Sequence, residues 1–162
     1  CRTFLEPGPP LNGDGEPDNR SALQYEVLHG EVPPGLIAYI EDRAVGWSRV
    51  GPRRLFPGVT GNRSLARVLA DEPTAWWVTC FSTQAQARGL GVGKALLRAD
   101  LEDARANGAT VVEGYPVDVA NLKAKRVGAS ALYTGTLRLF ESAGFIEVAR
   151  PSPTRPLMRS EF

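Results

Sequence analysis

Apolar positions along this chain keep two rhythms, and the switches between them mark its elements. Arg20 to His29 sets Leu23, Val27 and Leu28 at helical spacing and stops at Gly30, Pro33 and Pro34, which predicts a short helix. From Leu36 the run Leu-Ile-Ala-Tyr-Ile-Glu turns at Asp42-Arg43 into Ala-Val-Gly-Trp-Ser-Arg-Val and ends at Gly51-Pro52. Two β-rich runs around a tight polar turn predict an antiparallel hairpin. Asn62 to Asp71 places Leu65, Val68 and Leu69 on one face behind a cap at Asn62, predicting a second short helix before Pro73. Ala75 to Phe81 is too short and too rich in β-formers for a helix and reads as a buried strand.

The next stretch, Ser82 to Gly93, is a loop carrying Gly89, Gly91 and Gly93. It leads into a helix with Val92, Ala95, Leu96 and Ala99 on one face and Lys94, Arg98 and Glu102 away from it, stopped by Asn107-Gly108. A second β run, Ala109 to Tyr115, follows at once. Strand, loop, helix, strand implies a parallel pair joined by a right-handed crossover. Pro116 to Ala129 is polar and reads as loop. Ala131 to Ala143, with Leu132, Leu137, Leu139 and Phe140, reads as a helix closed by Gly144, then Phe145 to Val148 as a strand with Pro156 to Arg159 as its hairpin partner.

Composition narrows the function classes. The 162 residues fit one domain over residues 20–162, with a Pro- and Gly-rich irregular lead-in over residues 1–19. Nineteen basic against eighteen acidic residues give a net charge of +1, too little to drive binding to a polyanion, so nucleic acid is not an expected partner. No apolar run long enough to cross a membrane occurs, and the start lacks a signal-peptide pattern, so no membrane partner is expected either. Cys1 and Cys80 cannot build a disulfide framework, and His29, the sole histidine, leaves too few ligands for a Cys/His metal site. A cytoplasmic protein without a bound metal is the expectation. Because Met158 is the only methionine, something is expected to precede Cys1.

The glycine loop carries the chemistry. Arg88-Gly89-Leu90-Gly91-Val92-Gly93-Lys94 stands between a buried strand and a helix start, where free backbone N–H groups and the helix dipole favour an anion. A phosphate-bearing ligand follows. A Walker loop fails twice, since Arg88 stands at its first glycine and Ala95 at its magnesium-binding hydroxyl. A dinucleotide fingerprint fails where Lys94 follows and in the hairpin before the loop, and survives only through Glu113 as a mimic of the ribose-binding acid.

The remaining pattern, [QR]-x-x-G-x-[GA], is met by Arg88, Gly91 and Gly93. Together with the Gly46-Trp47 hairpin, the element order and the late Leu139-Phe140-Glu141-Ser142-Ala143-Gly144-Phe145, it resembles the GNAT superfamily of acyl-CoA-dependent N-acetyltransferases over about Arg20 to Phe162. The resemblance implies an α/β fold with a mixed, mostly antiparallel sheet splayed at a central parallel pair and flanked by helices. It also implies a first strand and helix ahead of this region, absent from the sequence. Acetyl-CoA would be the acyl donor. Its pyrophosphate would lie on the backbone of Arg88, Gly89, Leu90, Gly91, Val92, Gly93 and Lys94, and its pantetheine would pair with Phe81, Ser82 and Thr83, where an N–H would polarise the thioester carbonyl. The partner would be a small-molecule or protein amine, and a homodimer stays open.

Two positions depart from the family pattern. Many members place a Glu on the strand before the loop as base and a Tyr four residues before the late glycine as acid. Here Trp76 to Phe81 holds no carboxylate, and Phe140 stands at the tyrosine position. Local substitutes are Glu113 as base and Tyr133 as acid, with Tyr115 and Asp118 nearby and a water-relayed path as the alternative. Cys80 reads as core, Trp47, Trp76 and Trp77 as core, His29 as a helix-end residue, and Lys123, Lys125 and Arg126 as a solvated face. The sequence therefore predicts an N-acetyltransferase acting by direct attack of a primary amine. The alternatives are a non-catalytic acyl-CoA-binding sensor or interaction module and, less well matched, a nicotinamide-nucleotide oxidoreductase.

Overall fold

The hairpin forms as its pattern dictates. Leu36–Ile40 (β1) and Arg43–Pro52 (β2) pair antiparallel from Ile40↔Arg43 outward, the turn closed by Glu41 in the left-handed region at φ 53°. The computed structural model describes residues 19–122, 128 and 131–162. The lead-in before Asn19 and the basic run Lys123, Lys125 and Arg126 lie outside the described residues. β3 (Trp76–Thr83) pairs antiparallel with β2, and β4 (Val111–Gly114) parallel with β3. β5 (Ile146–Ser152) and β6 (Arg155–Glu161) close an antiparallel hairpin against β4, in the order β1-β2-β3-β4-β6-β5. This is the expected mixed sheet, antiparallel everywhere except at its centre.

Each face of the sheet has its own core. On one face Val50, Trp76, Val78, Val112 and Met158 meet Leu97 and Ala104 of helix α4 (Val92–Ala106) and Phe140 of helix α5 (Leu137–Ser142). On the other, Trp77, Tyr115 and Leu157 meet Phe56, Val59 and Leu65 from the connection between β2 and β3. That connection folds into two one-turn helices, α2 (Pro57–Thr60) and α3 (Arg63–Ala66). Phe140 is fully buried and stands edge-on to Phe145 and Phe81, with ring centroids 4.9 and 6.2 Å apart. Aromatic edge-to-face contacts of this kind add to the area they bury. Helix α1 (Asn19–His29) lies beside β2, where Glu26 pairs with the buried Arg49 guanidinium.

Three expectations are corrected. The helix expected over 62–71 ends at Ala66 and passes into a turn, in which the Leu65 carbonyl accepts from the N–H groups of both Val68 and Leu69 and no further helical turn follows before Pro73. The Asn62 cap does form, accepting from the N–H groups of Ser64 and Leu65. The helix expected over 131–143 starts only at Leu137. Gly135, at φ 82°, takes a left-handed conformation that a continuing helix forbids, and the Thr136 hydroxyl then caps the Leu139 N–H. On α4 the buried face runs through Val92, Leu96, Leu97, Asp100 and Ala104, while Ala95 is exposed.

Candidate active site

The site begins where the parallel pair stops. β3 and β4 pair only from Trp76↔Val112 to Val78↔Gly114 and then diverge, so the last residues of β3 border an open wedge. The register with β2 decides which backbone groups face it. The Gln84 N–H donates to the Val45 carbonyl at 2.9 Å, which directs the backbone of Gln84 and Ser82 toward β2. By strand alternation, Phe81 and Thr83 direct their N–H and C=O groups into the wedge. The three positions expected to border pantetheine therefore divide into two edge residues and Ser82, which presents only its side chain.

The wedge also contains the chain's own backbone. The Phe81 N–H donates to the Tyr133 carbonyl at 2.6 Å, the Val117 N–H to Gly135 at 2.9 Å, and the Leu137 N–H back to Val117 at 2.8 Å. Residues 133–137 thus bridge the two diverging strands. Gly135 sits between aromatic rings, where a Cβ would stand 3.0 Å from Phe140 and 3.2 Å from Phe81. Tyr133, expected as an acid on a helix, lies instead in a turn. Its carbonyl meets Phe81, and its half-buried side chain packs on the Trp77, Tyr115 and Leu157 cluster.

Beyond Thr83 the chain makes one helical turn at Ala85–Ala87 and enters the glycine loop. Gly89 and Gly91 both adopt φ 80°, and no atom stands within 4 Å of where a Cβ on either would lie. The first helical bond of α4 runs from the Ala95 N–H to the Gly91 carbonyl, so the N–H groups of Val92, Gly93 and Lys94 precede it. No acidic residue occupies this first turn, Arg88 and Leu90 are exposed, and Lys94 is half-buried. Val92 is turned into the core, whereas Gly93 lets α5 approach, with Leu139 3.7 Å from where its Cβ would be. An open glycine backbone, a positive dipole end and two flanking cations fit a diphosphate.

Glu113 does not stand in this wedge. It is 0% exposed, its Oε2 accepting from Arg53 Nη1 at 2.6 Å and its Oε1 from Arg159 Nη2 at 2.7 Å and Nε at 3.2 Å. Arg53 continues to the carbonyls of Ala70 and Glu72, tying the β2–β3 connection to the sheet. A carboxylate closed between two guanidiniums has no free oxygen for an acceptor's proton, so the geometry is that of a structural anchor. Asp118 is likewise engaged by Arg150 at 2.9 Å and by Asn121 at 2.8 Å, and the Arg150 hydrogen bond holds its carboxyl below the usual range. Burial pushes up both the Tyr115 phenol and the Cys80 thiol, leaving the latter a poor nucleophile. His29 Nδ1 lies 3.0 Å from the Tyr25 carbonyl and its ring stacks on Tyr25, as a helix-end residue does. Among the described residues no cluster of His, Cys, Asp or Glu could hold a metal, and no helix is long and apolar enough to cross a membrane.

Two features escaped the sequence reading. Asp100 of α4, 0% exposed, accepts from the Ser48 hydroxyl at 2.6 Å and is raised to about 7, chiefly by burial and further by the nearby Asp103. Its place one turn from Leu96 and from Ala104 was the available signal. The second is an apolar trough of about 540 Å³ between α1, the β1–β2 hairpin and the end of β3, reaching Ser82 and Gln84. No local pattern reveals it, because three separated segments build it.

Comparison with known proteins agrees with this geometry. Residues 4–132 match the acetyltransferase (GNAT) family. No curated protein matches the chain. Among solved structures, a ribosomal-protein-alanine N-acetyltransferase from Brucella melitensis superposes with a TM-score of 0.57 at 22% identity, covering 90% of this chain and 78% of that one. A GCN5-related N-acetyltransferase from Kribbella flavida gives 0.54 at 18%, covering 94% and 82%. An aminoglycoside acetyltransferase in complex with coenzyme A gives 0.53 at 18%, covering 77% and 64%. These likenesses establish a shared fold, and the family match adds to it. The sheet splayed at its one parallel pair, the glycine loop opening α4 and the match over residues 4–132 place this chain in the acetyltransferase (GNAT) family, whose acyl donor is acetyl-CoA.

Proposed function

We propose that the protein is an N-acetyltransferase that moves an acetyl group from acetyl-CoA to the primary amine of an acceptor by direct attack. The observation that carries this reading is the continuous path from the wedge-facing backbone of Thr83, where β3 has parted from β4, to the glycine-opened N-terminus of α4. Acetyl-CoA supplies an electrophilic thioester carbonyl and a thiolate leaving group. Arg88, Lys94 and the N–H groups from Gly89 to Lys94 would hold its diphosphate. Thr83 turns a backbone edge into the wedge that no described residue is seen to pair with, and the Phe81 N–H, the donor nearest the sheet interior, is held by the Tyr133 carbonyl and would have to leave it to reach the thioester.

Proton handling follows from what the site lacks. The trough beside Ser82 has no carboxylate or imidazole among its described lining residues. On this reading the amine reaches the site already neutral, and its second proton leaves to water after the C–N bond forms. The cytoplasm remains the setting of this reading, on the cysteine usage. The test is thiol release from acetyl-CoA with a panel of primary amines, each product checked by mass. Amine-dependent thiol release with a product heavier by one acetyl group supports the proposal.

A second reading has its own observation. The bond from the Phe81 N–H to Tyr133, with no carboxylate or imidazole among the described lining residues of the trough, also suits a protein that binds acyl-CoA without turning it over. Tight acetyl-CoA binding with no acetylated product across the panel would select the sensor.

A further inference from the structure

The trough specifies the body of the acceptor. Leu23 and Val27 of α1 form one wall, Ile37 and Trp47 of the hairpin the other, and Ser82 and Gln84 close the end at β3. Val27 and Ile37 remain 60% and 55% exposed, so the described residues leave a contiguous apolar surface open to solvent inside a concavity. A contiguous exposed apolar surface is a feature of interaction sites and ligand grooves, and a concave one suits a ligand. At about 540 Å³ the trough has the size and lining of a site for a small organic molecule, with few polar groups at one end. Ser82 sits between the two residues that border the wedge, so an occupant with its body against Val27 and Ile37 would present its polar end toward the thioester position.

Charge narrows the occupant. No acidic or basic side chain lines the trough among the described residues. Glu26, on the same helix as Leu23 and Val27, is paired with the buried Arg49 guanidinium. A polyamine or polyamino sugar would bring several ammonium groups against described lining residues that offer them no counter-charge, at a desolvation cost. Resting on the acetyltransferase reading, we infer that the acceptor is a primary monoamine with an aromatic or branched aliphatic body, seated in the trough between α1 and the β1–β2 hairpin.

The experiment measures acetylation by the full chain of tryptamine and phenethylamine against spermidine and kanamycin, with acetyl-CoA affinity measured separately. The two apolar monoamines are expected to show kcat/KM at least tenfold above the polyamines. Val27→Asp and Ile37→Asp, both at exposed positions, are expected to raise KM for tryptamine at least tenfold while leaving acetyl-CoA affinity and thermal midpoint unchanged. Faster turnover of spermidine or kanamycin, or an unchanged tryptamine KM in both variants, would overturn the inference while the acetyltransferase reading stands. If acetyl-CoA binds but no amine is turned over, calorimetric titration of tryptamine decides. Saturable binding lost in both variants supports the trough, and no binding overturns it. Failure of acetyl-CoA itself to bind would bring down the function on which the inference rests.

Discussion

Asp100 gives the sharpest stability prediction. Its carboxyl lies beneath α4 with Oδ1 on the Ser48 hydroxyl and Oδ2 buried without a partner among the described residues. Burial raises it from 3.8 to about 7. Its affinity for a proton is therefore higher folded than unfolded, so its contribution is fully present below the unfolded value and is lost as pH rises through about 7. The difference between the two values, about three pH units at roughly 1.36 kcal/mol each, amounts to about 4 kcal/mol of destabilisation once the native group ionises. Between about pH 5 and about pH 8 the change is roughly 2.5 kcal/mol, because part of the penalty is already present at pH 5. Asp100→Asn keeps the acceptor for Ser48 and removes the charge. Urea unfolding of both proteins across this range should show the wild type losing that amount relative to the variant, so that the variant gains its advantage on the alkaline side. Parallel stability curves would refute the argument and mean that Asp100 is hydrated in the native state.

Other outcomes follow from the same contacts. Glu113→Gln should destabilise the fold by about 3–5 kcal/mol, because two guanidiniums are left in a buried site with a neutral partner, while kcat of the folded fraction stays within a few-fold. Urea unfolding and active-site-normalised kinetics separate the two effects, and a kcat loss of a thousandfold at native stability would restore Glu113 as the base. Gly114→Ala drives a methyl into the Phe140 ring and should cost about 1–3 kcal/mol, read as a lowered thermal midpoint. With no carboxylate or imidazole among the described lining residues of the trough, log kcat/KM should rise with unit slope until the acceptor's own ammonium titrates; a plateau set near neutrality by the enzyme would point to a general base.

Legibility in the sequence tracked the range of the interactions involved. The hairpin, the glycine loop and α4 were readable because turn chemistry, a local motif and a helical stripe each write themselves within a few residues. Failures came where distant partners decide. Glu113 looked like a candidate base from its place at a strand end, but Arg53 and Arg159 lie 60 and 46 residues away and claim both its oxygens. Tyr133 looked helical until Gly135 and the pairing with Val117 and Phe81 fixed the segment across the wedge. Phe140, which the resemblance sets at the family's tyrosine position, is core because Gly114 gives its ring space.

Titration of acetyl-CoA into the full chain by calorimetry, beside Arg88→Glu, addresses the central claim most directly. The account predicts saturable one-to-one binding by the wild type and at least tenfold weaker binding by the variant at unchanged thermal midpoint, since a carboxylate at position 88 would face the diphosphate. A folded wild type that does not bind acetyl-CoA, or equal affinity in both proteins, would contradict it.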